Sequence, residues 1–249
     1  MKRTSSFSPP LLSAGLGAVC MLLRLGLYAQ KESSGLLPYA HPLHIASLVI
    51  GILAVFLIVV SVMKLKGNGS FASNFPASRI AACGSFFAGL WLLPAAFSIL
   101  ESADTRIGVA WAVSGFCAVP CLIYNSWCRF TGRRTHFLLH SSLCLFYLLT
   151  MLCRYRLWSG NPQIPDYLFP LFGCVFLALA TYYRMQFALG QGQRRALLFC
   201  GLMAGFFCIA SLAGEGDKQF YLSGALWALT DLCSIQPPPH PEEKNHVSA

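Results

Sequence analysis

The chain has 249 residues, 56% of them apolar and only 11% charged, with a mean hydropathy of +0.59. A soluble domain carries about 25% charged residues, so the composition excludes a soluble globular fold. The net charge of +9 does not argue for a nucleic-acid partner, because the basic residues sit in short segments between apolar runs of about 17–25 residues, the length that crosses a bilayer as a helix.

Those runs are continuous and do not alternate with period two. That pattern selects helices over a barrel, and in lipid only these two satisfy the backbone. The predicted fold is therefore all-α: a polytopic transmembrane helical bundle of about eight spans, seven if the last run fails to cross or the first is removed.

The first predicted span covers residues 10–30. Lys2 and Arg3 precede it, and Pro9-Pro10 suit a helix start. A charged start followed by an apolar stretch is also the signature of a signal peptide. Gly17-Ala18-Val19-Cys20 approaches a lipoprotein cleavage site, but Val19 is large for its position and the apolar stretch continues past it. An uncleaved first helix is expected. The second span, residues 42–63, is rich in Leu, Ile and Val and is expected to face lipid; a Gly/Ser/Asn-rich turn over 67–78 follows it.

The third span covers 79–100, with Ala81, Ser85 and Gly89 in one small-residue stripe where another helix can approach closely. The fourth covers 107–127. It repeats that spacing at Gly108 and Ala112 and holds Pro120, where a kink is expected. Arg129, Arg133 and Arg134 are assigned to the next loop, and the fifth span to 135–154. A dense polar and aromatic turn follows, from Cys153-Arg154-Tyr155-Arg156-Leu157-Trp158 to Asp166-Tyr167. The sixth span covers 165–187 and the seventh 196–212, with Gly201 and Gly205 as a close-packing pair. The last apolar run, 220–235, is short for a span, and the Pro-rich tail 236–249 is expected to be disordered.

Orientation follows from the distribution of lysine and arginine. With eight spans and both termini inside, every inner segment is basic: Lys64 and Lys66, then Arg129, Arg133 and Arg134, then Arg184, Arg194 and Arg195. The outer turns collect Glu32, Glu101, Asp104, Asp166, Glu215 and Asp217. This predicts a multi-pass protein of a bacterial cytoplasmic membrane, with anionic lipid at the basic inner loops.

The chain holds no phosphate-binding Gly-rich loop, no zinc-protease motif and no nucleophile elbow. It has eleven cysteines and no Cys-x-x-Cys pair, and buried cysteine behaves as a small hydrophobe. His136 and His140 share a helix face but lack a third ligand, so no metal and no cofactor is assigned. Asp231, in the last run, either pairs with an arginine inside the membrane, relays protons, or marks the helix exit.

The outer end gathers the candidate ligand-binding residues Arg24, His41, His44, Arg154, Arg156, Asp166 and Tyr167. Guanidinium groups near membrane depth bind carboxylate or phosphate; they also anchor helix ends at the interface. Both readings stand for these arginines.

The chain resembles an uncharacterised family of polytopic bacterial membrane proteins. The residues that carry the resemblance are Arg24-Leu25, Leu27-Tyr28, Gly35-Leu36-Leu37, His41-Pro42, Arg154-Tyr155-Arg156-Leu157-Trp158-Ser159, Pro162-Gln163, Asp166-Tyr167 and Tyr182-Tyr183-Arg184. The resemblance implies no activity. The leading expectation is a carrier or binding component for a small anionic ligand, with its site open to the outside. A regulatory or assembly subunit with a protein partner is the second. An enzyme acting on lipid is the third and least supported, since no poised acid/base pair is visible.

Overall fold

The computed structural model describes residues 9–30, 41–63, 71–160, 167–214 and 217–235. The described residues are helical with short connections. In chain order the helices are α1 (Pro9–Tyr28), α2 (Pro42–Met63), α3 (Phe71–Asn74), α4 (Arg79–Glu101), α5 (Arg106–Thr131), α6 (Phe137–Trp158), α7 (Leu168–Leu189), α8 (Arg194–Ser211) and α9 (Lys218–Cys233). Seven of them are long and apolar enough to cross a membrane: α1, α2 and α4 to α8. The protein is a multi-pass helical membrane bundle.

Helix α8 is the hub. It packs against α7, α9, α1 and α2, and 78% of its most apolar window is buried inside the chain. Outside it the path α4–α5–α6–α7 wraps around the core, with α9 closing against α4 and α8. The α1–α2 hairpin packs on the far side of α8. Only 28% of the α2 window is buried; Ile45, Val49, Ile52 and Phe56 point outward, as expected for a lipid-facing helix.

Helix α9 has only 16 residues, fewer than the roughly 20 that span a bilayer. Its burial explains why it tolerates so short an apolar run. Phe220, Tyr221, Ser223, Gly224, Trp227, Ala228 and Asp231 are all buried, so little of it needs to match the lipid.

Small residues set the close approaches, as they do where lipid supplies no hydrophobic drive between helices. A Cβ on Gly201 would lie 2.9 Å from Leu232, and one on Gly205 2.5 Å from Leu229, so the predicted pair seats two leucines of α9 on α8. Gly84 leaves no room for a side chain against Thr230 of α9. The predicted stripe on α4 faces α5: Ser85 accepts a hydrogen bond from Asn125 Nδ2 at 2.9 Å, and Gly89 packs on Leu122 and Ile123. On α5 the spacing misled at Gly108, which lies against Ala103 of its own turn. Gly115 is the residue that meets another helix, beside Phe146 of α6 and Ala96 of α4.

Three boundaries differ from the sequence expectation. Helix α5 continues past Trp127 through Arg129, and ends where Gly132 takes a left-handed conformation (φ 71°) and donates to Cys128 O. Arg129 is therefore a buried helical residue and not a loop residue. Helix α6 continues past Arg154 to Trp158, so the first part of the expected turn is a helix end; residues 161–166 of that turn lie outside the described residues. In the expected turn over 67–78, residues Phe71–Asn74 form a single helical turn, and Phe75 is buried beneath it. Pro120 lies within α5, which is helical throughout Arg106–Thr131. The first eight residues and the tail beyond 235 lie outside the described residues.

Candidate functional site

Arg154 faces the bundle because it closes a stripe. His140, Leu143, Tyr147, Thr150 and Arg154 recur at three- and four-residue spacing on the buried face of α6. Across from it, the first turns of α9 present Asp217, Phe220 and Tyr221. Arg154 Nη2 donates to Asp217 Oδ2 at 2.8 Å, and Nη1 donates to the Tyr221 hydroxyl. Tyr221 in turn donates to Pro170 O, in the first turn of α7, at 3.3 Å. The rings of Phe220, Tyr221 and Trp158 lie 4.6, 4.9 and 5.9 Å from the guanidinium carbon, an aromatic box that favours a cation. The pair is asymmetric: the Arg154 side chain is 5% exposed and the Asp217 side chain 31%. The cation sits in the protein while its counter-ion reaches water.

Arg24 comes to the neighbouring part of the same end. It is buried near the end of α1, with its guanidinium 4.6 Å from the Phe169 ring and its Nη2 3.2 Å from the Tyr28 hydroxyl. Phe169 and Pro170 are adjacent in α7. The first turn of α7 thus stands between the two arginines, touching Arg24 through a ring and Arg154 through Tyr221.

The other predicted residues divide. Tyr167 stacks on Trp158 at 4.7 Å with rings 13° from parallel, so it covers the aromatic box. His44 is buried on the α2 face with Ser47 and Gly51. His41 caps α2, its Nδ1 accepting from Leu43 N at 3.3 Å. Arg156 is exposed. Asp166 lies outside the described residues.

The sequence reading missed the densest charged cluster, at the opposite end. Asp231 uses both carboxylate oxygens: Oδ1 lies 3.1 Å from Arg129 Nε and Oδ2 lies 3.3 Å from Arg184 Nε. All three residues are buried, Arg184 completely. Arg129 also donates to Pro76 O at 3.1 Å and to Ser234 Oγ. Phe75 caps the cluster, its ring 3.4 Å from the Arg184 guanidinium carbon and 5.2 Å from that of Arg129; Phe71 lies 5.1 Å from Arg184. Ser78 N donates to Arg129 O at 2.9 Å and ties the α3–α4 segment to the end of α5. His140 is buried at this end, its Nε2 2.9 Å from Thr135 Oγ1, while exposed His136 accepts from Leu138 N.

One signal in the sequence pointed to this cluster. Successive spans run in opposite directions, so the last turns of α5, α7 and α9 meet at one end. Arg129 and Asp231 occupy the last turns of α5 and α9, and Arg184 lies in the turn before the last of α7. By sequence, Arg129 is assigned to a loop, and Asp231 has no assigned partner.

No family model, curated protein or solved structure matches the chain. Its chemistry therefore has to be argued from these two ends.

Proposed function

We propose that the chain is a membrane-embedded carrier or binding component for a small anion, and that Arg154 is the residue that receives it. One observation carries the reading: a buried guanidinium in an aromatic box pairs with a partly exposed carboxylate. An isolated charge at such a site is costly, so some anion must occupy it. Asp217 does so here from the wet side, at the N-cap position of a helix. A ligand carboxylate or phosphate arriving from water has the same chemistry and a bidentate geometry available. It competes with Asp217 for the same Nη2 atom. Arg24, stacked on Phe169 of α7, adds positive charge to the approach.

A second reading has its own support. Arg154 is fully engaged by Asp217, Tyr221 and three rings. On that reading the arginine is an anchor that holds α9 to α6, and the protein is an assembly or regulatory subunit.

A thermal-stability screen in lipid nanodiscs separates the two. A ligand at a hundred times its dissociation constant stabilises by about 2.7 kcal/mol. The binding reading predicts that one class of small anion shifts wild type and not Arg154→Ala. The anchor reading predicts that no anion shifts either, and that Arg154→Ala alone lowers the transition.

A further inference from the structure

The geometry points to a second oxyanion site at the opposite end of the bundle, built on Arg184 with Arg129, and capped by Phe75. Its ligand class is a phosphate group with uncompensated negative charge, either free phosphate or the headgroup of an anionic lipid.

The charge count comes first. Arg129 and Arg184 are buried with one buried carboxylate, Asp231, between them. The other acids among the described residues, Glu101, Asp104 and Asp217, all lie at the Arg154 end. The cluster therefore carries one positive charge more than its own carboxylate neutralises.

The hydrogen-bond account agrees. Asp231 lies within ion-pair distance of the Nε atoms of both arginines but accepts a hydrogen bond from neither, and Arg129 finds acceptors at Pro76 O and Ser234 Oγ. Arg184 finds none: its Nη1 and Nη2 are buried with no acceptor among the described residues. Buried polar groups are nearly always satisfied, and an unsatisfied one asks for a missing partner. Two adjacent guanidinium nitrogens match two oxygens of one phosphate. The Phe75 ring on the guanidinium face favours the cation but accepts no hydrogen from the Nη edge.

Access runs through the cap. Phe71 and Phe75 belong to the one-turn helix α3 and the residues after it, and they cover Arg184 from the end of the bundle. Movement of that short segment opens the Nη edge without disturbing a spanning helix. The site is independent of Arg154, which lies at the other end, so each stands or falls alone.

The test uses the full chain in phosphatidylcholine nanodiscs, with Arg154→Ala as the background so that the first site is silent. Inorganic phosphate should raise the melting temperature of Arg154→Ala saturably, and adding Arg184→Met should abolish the rise. Arg184→Met keeps the Arg129–Asp231 pair and removes the excess charge, so it should fold. If it does not, Arg184→Lys decides: it offers one nitrogen in place of the fork and should need about tenfold more phosphate for the same shift. Phe75→Ala should lower the half-saturating phosphate concentration. Discs that contain phosphatidylglycerol identify the source. A lipid phosphate predicts an Arg184-dependent rise in these discs that added phosphate does not increase; free phosphate predicts no rise until it is added. The proposal is overturned if neither free phosphate nor phosphatidylglycerol stabilises the Arg154→Ala protein. It is also overturned if the shift persists in Arg184→Met, or if Arg184→Lys titrates like its parent. In those cases Arg184 is held by Phe75 and Asp231 alone.

Discussion

Asp217 and Asp231 stand at opposite ends of α9, and each holds arginines that belong to other helices. Asp217 takes Arg154 of α6; Asp231 takes Arg129 of α5 and Arg184 of α7. The shortest of the long helices is thus pinned at both ends by charge. Asp217 also suits its place, since a carboxylate is favourable at a helix N-terminus. Asp231 does not, being near the C-terminus, and two cations offset that disadvantage.

The two pins should respond differently to mutation. Asp231→Asn leaves two buried arginines without a counter-ion, and breaking a buried pair from one side costs about 3–5 kcal/mol. Replacing all three groups together (Arg129→Met, Arg184→Met, Asp231→Leu) should recover most of that loss, because apolar substitutes of similar volume are often neutral or better. Thermal melts in one detergent or disc type check this. A triple variant less stable than Asp231→Asn would contradict it.

Gly84 tests the α4–α9 contact. A methyl group there collides with the Thr230 side chain, and overpacking of this kind costs about 1–3 kcal/mol. Gly84→Ala should therefore destabilise, and Thr230→Ala in the same chain should restore only part of the loss, because the Cβ it keeps lies 2.4 Å from the added methyl. Two destabilisations that simply add would mean that the helices do not meet at this pair.

Orientation is open to chemical labelling. The distribution of basic residues puts Arg133 inside and Ser159 outside, and both are exposed at opposite ends of the bundle. In intact cells a membrane-impermeant maleimide should label Ser159→Cys and not Arg133→Cys. Permeabilised cells should label both. The reverse pattern would invert the assignment of the two ends.

Much of the fold was legible in the sequence because length and apolarity are one-dimensional. The runs that became α1, α2 and α4 to α8 could be counted, and the Gly201/Gly205 spacing named a contact that α9 fills. Ends were harder. Arg129 and Arg154 look like stop signals for a lipid-facing span, yet both continue a helix, each beside a carboxylate at one end of α9. Side-chain pairing across helices was the least visible layer. Asp231 was noticed as an acid in an apolar run, but its partners lie on α5 and α7, far away in sequence. The Arg154 cluster showed the opposite bias. Its arginines, Trp158 and Tyr167 are close in sequence, so the eye finds them, while Asp217 and Tyr221 on α9 went unassigned to it.

The most direct measurement is a titration of the anion found in the stability screen against wild type, Asp217→Asn and Arg154→Ala in nanodiscs. If a ligand competes with Asp217 for Arg154, removing the carboxylate charge should tighten binding. Tenfold in dissociation constant, about 1.4 kcal/mol, is the scale expected for a partly exposed competitor, and Arg154→Ala should show no saturable binding. Equal or weaker binding in Asp217→Asn, or binding that survives Arg154→Ala, would show that Arg154 is an anchor and that the anion binds elsewhere.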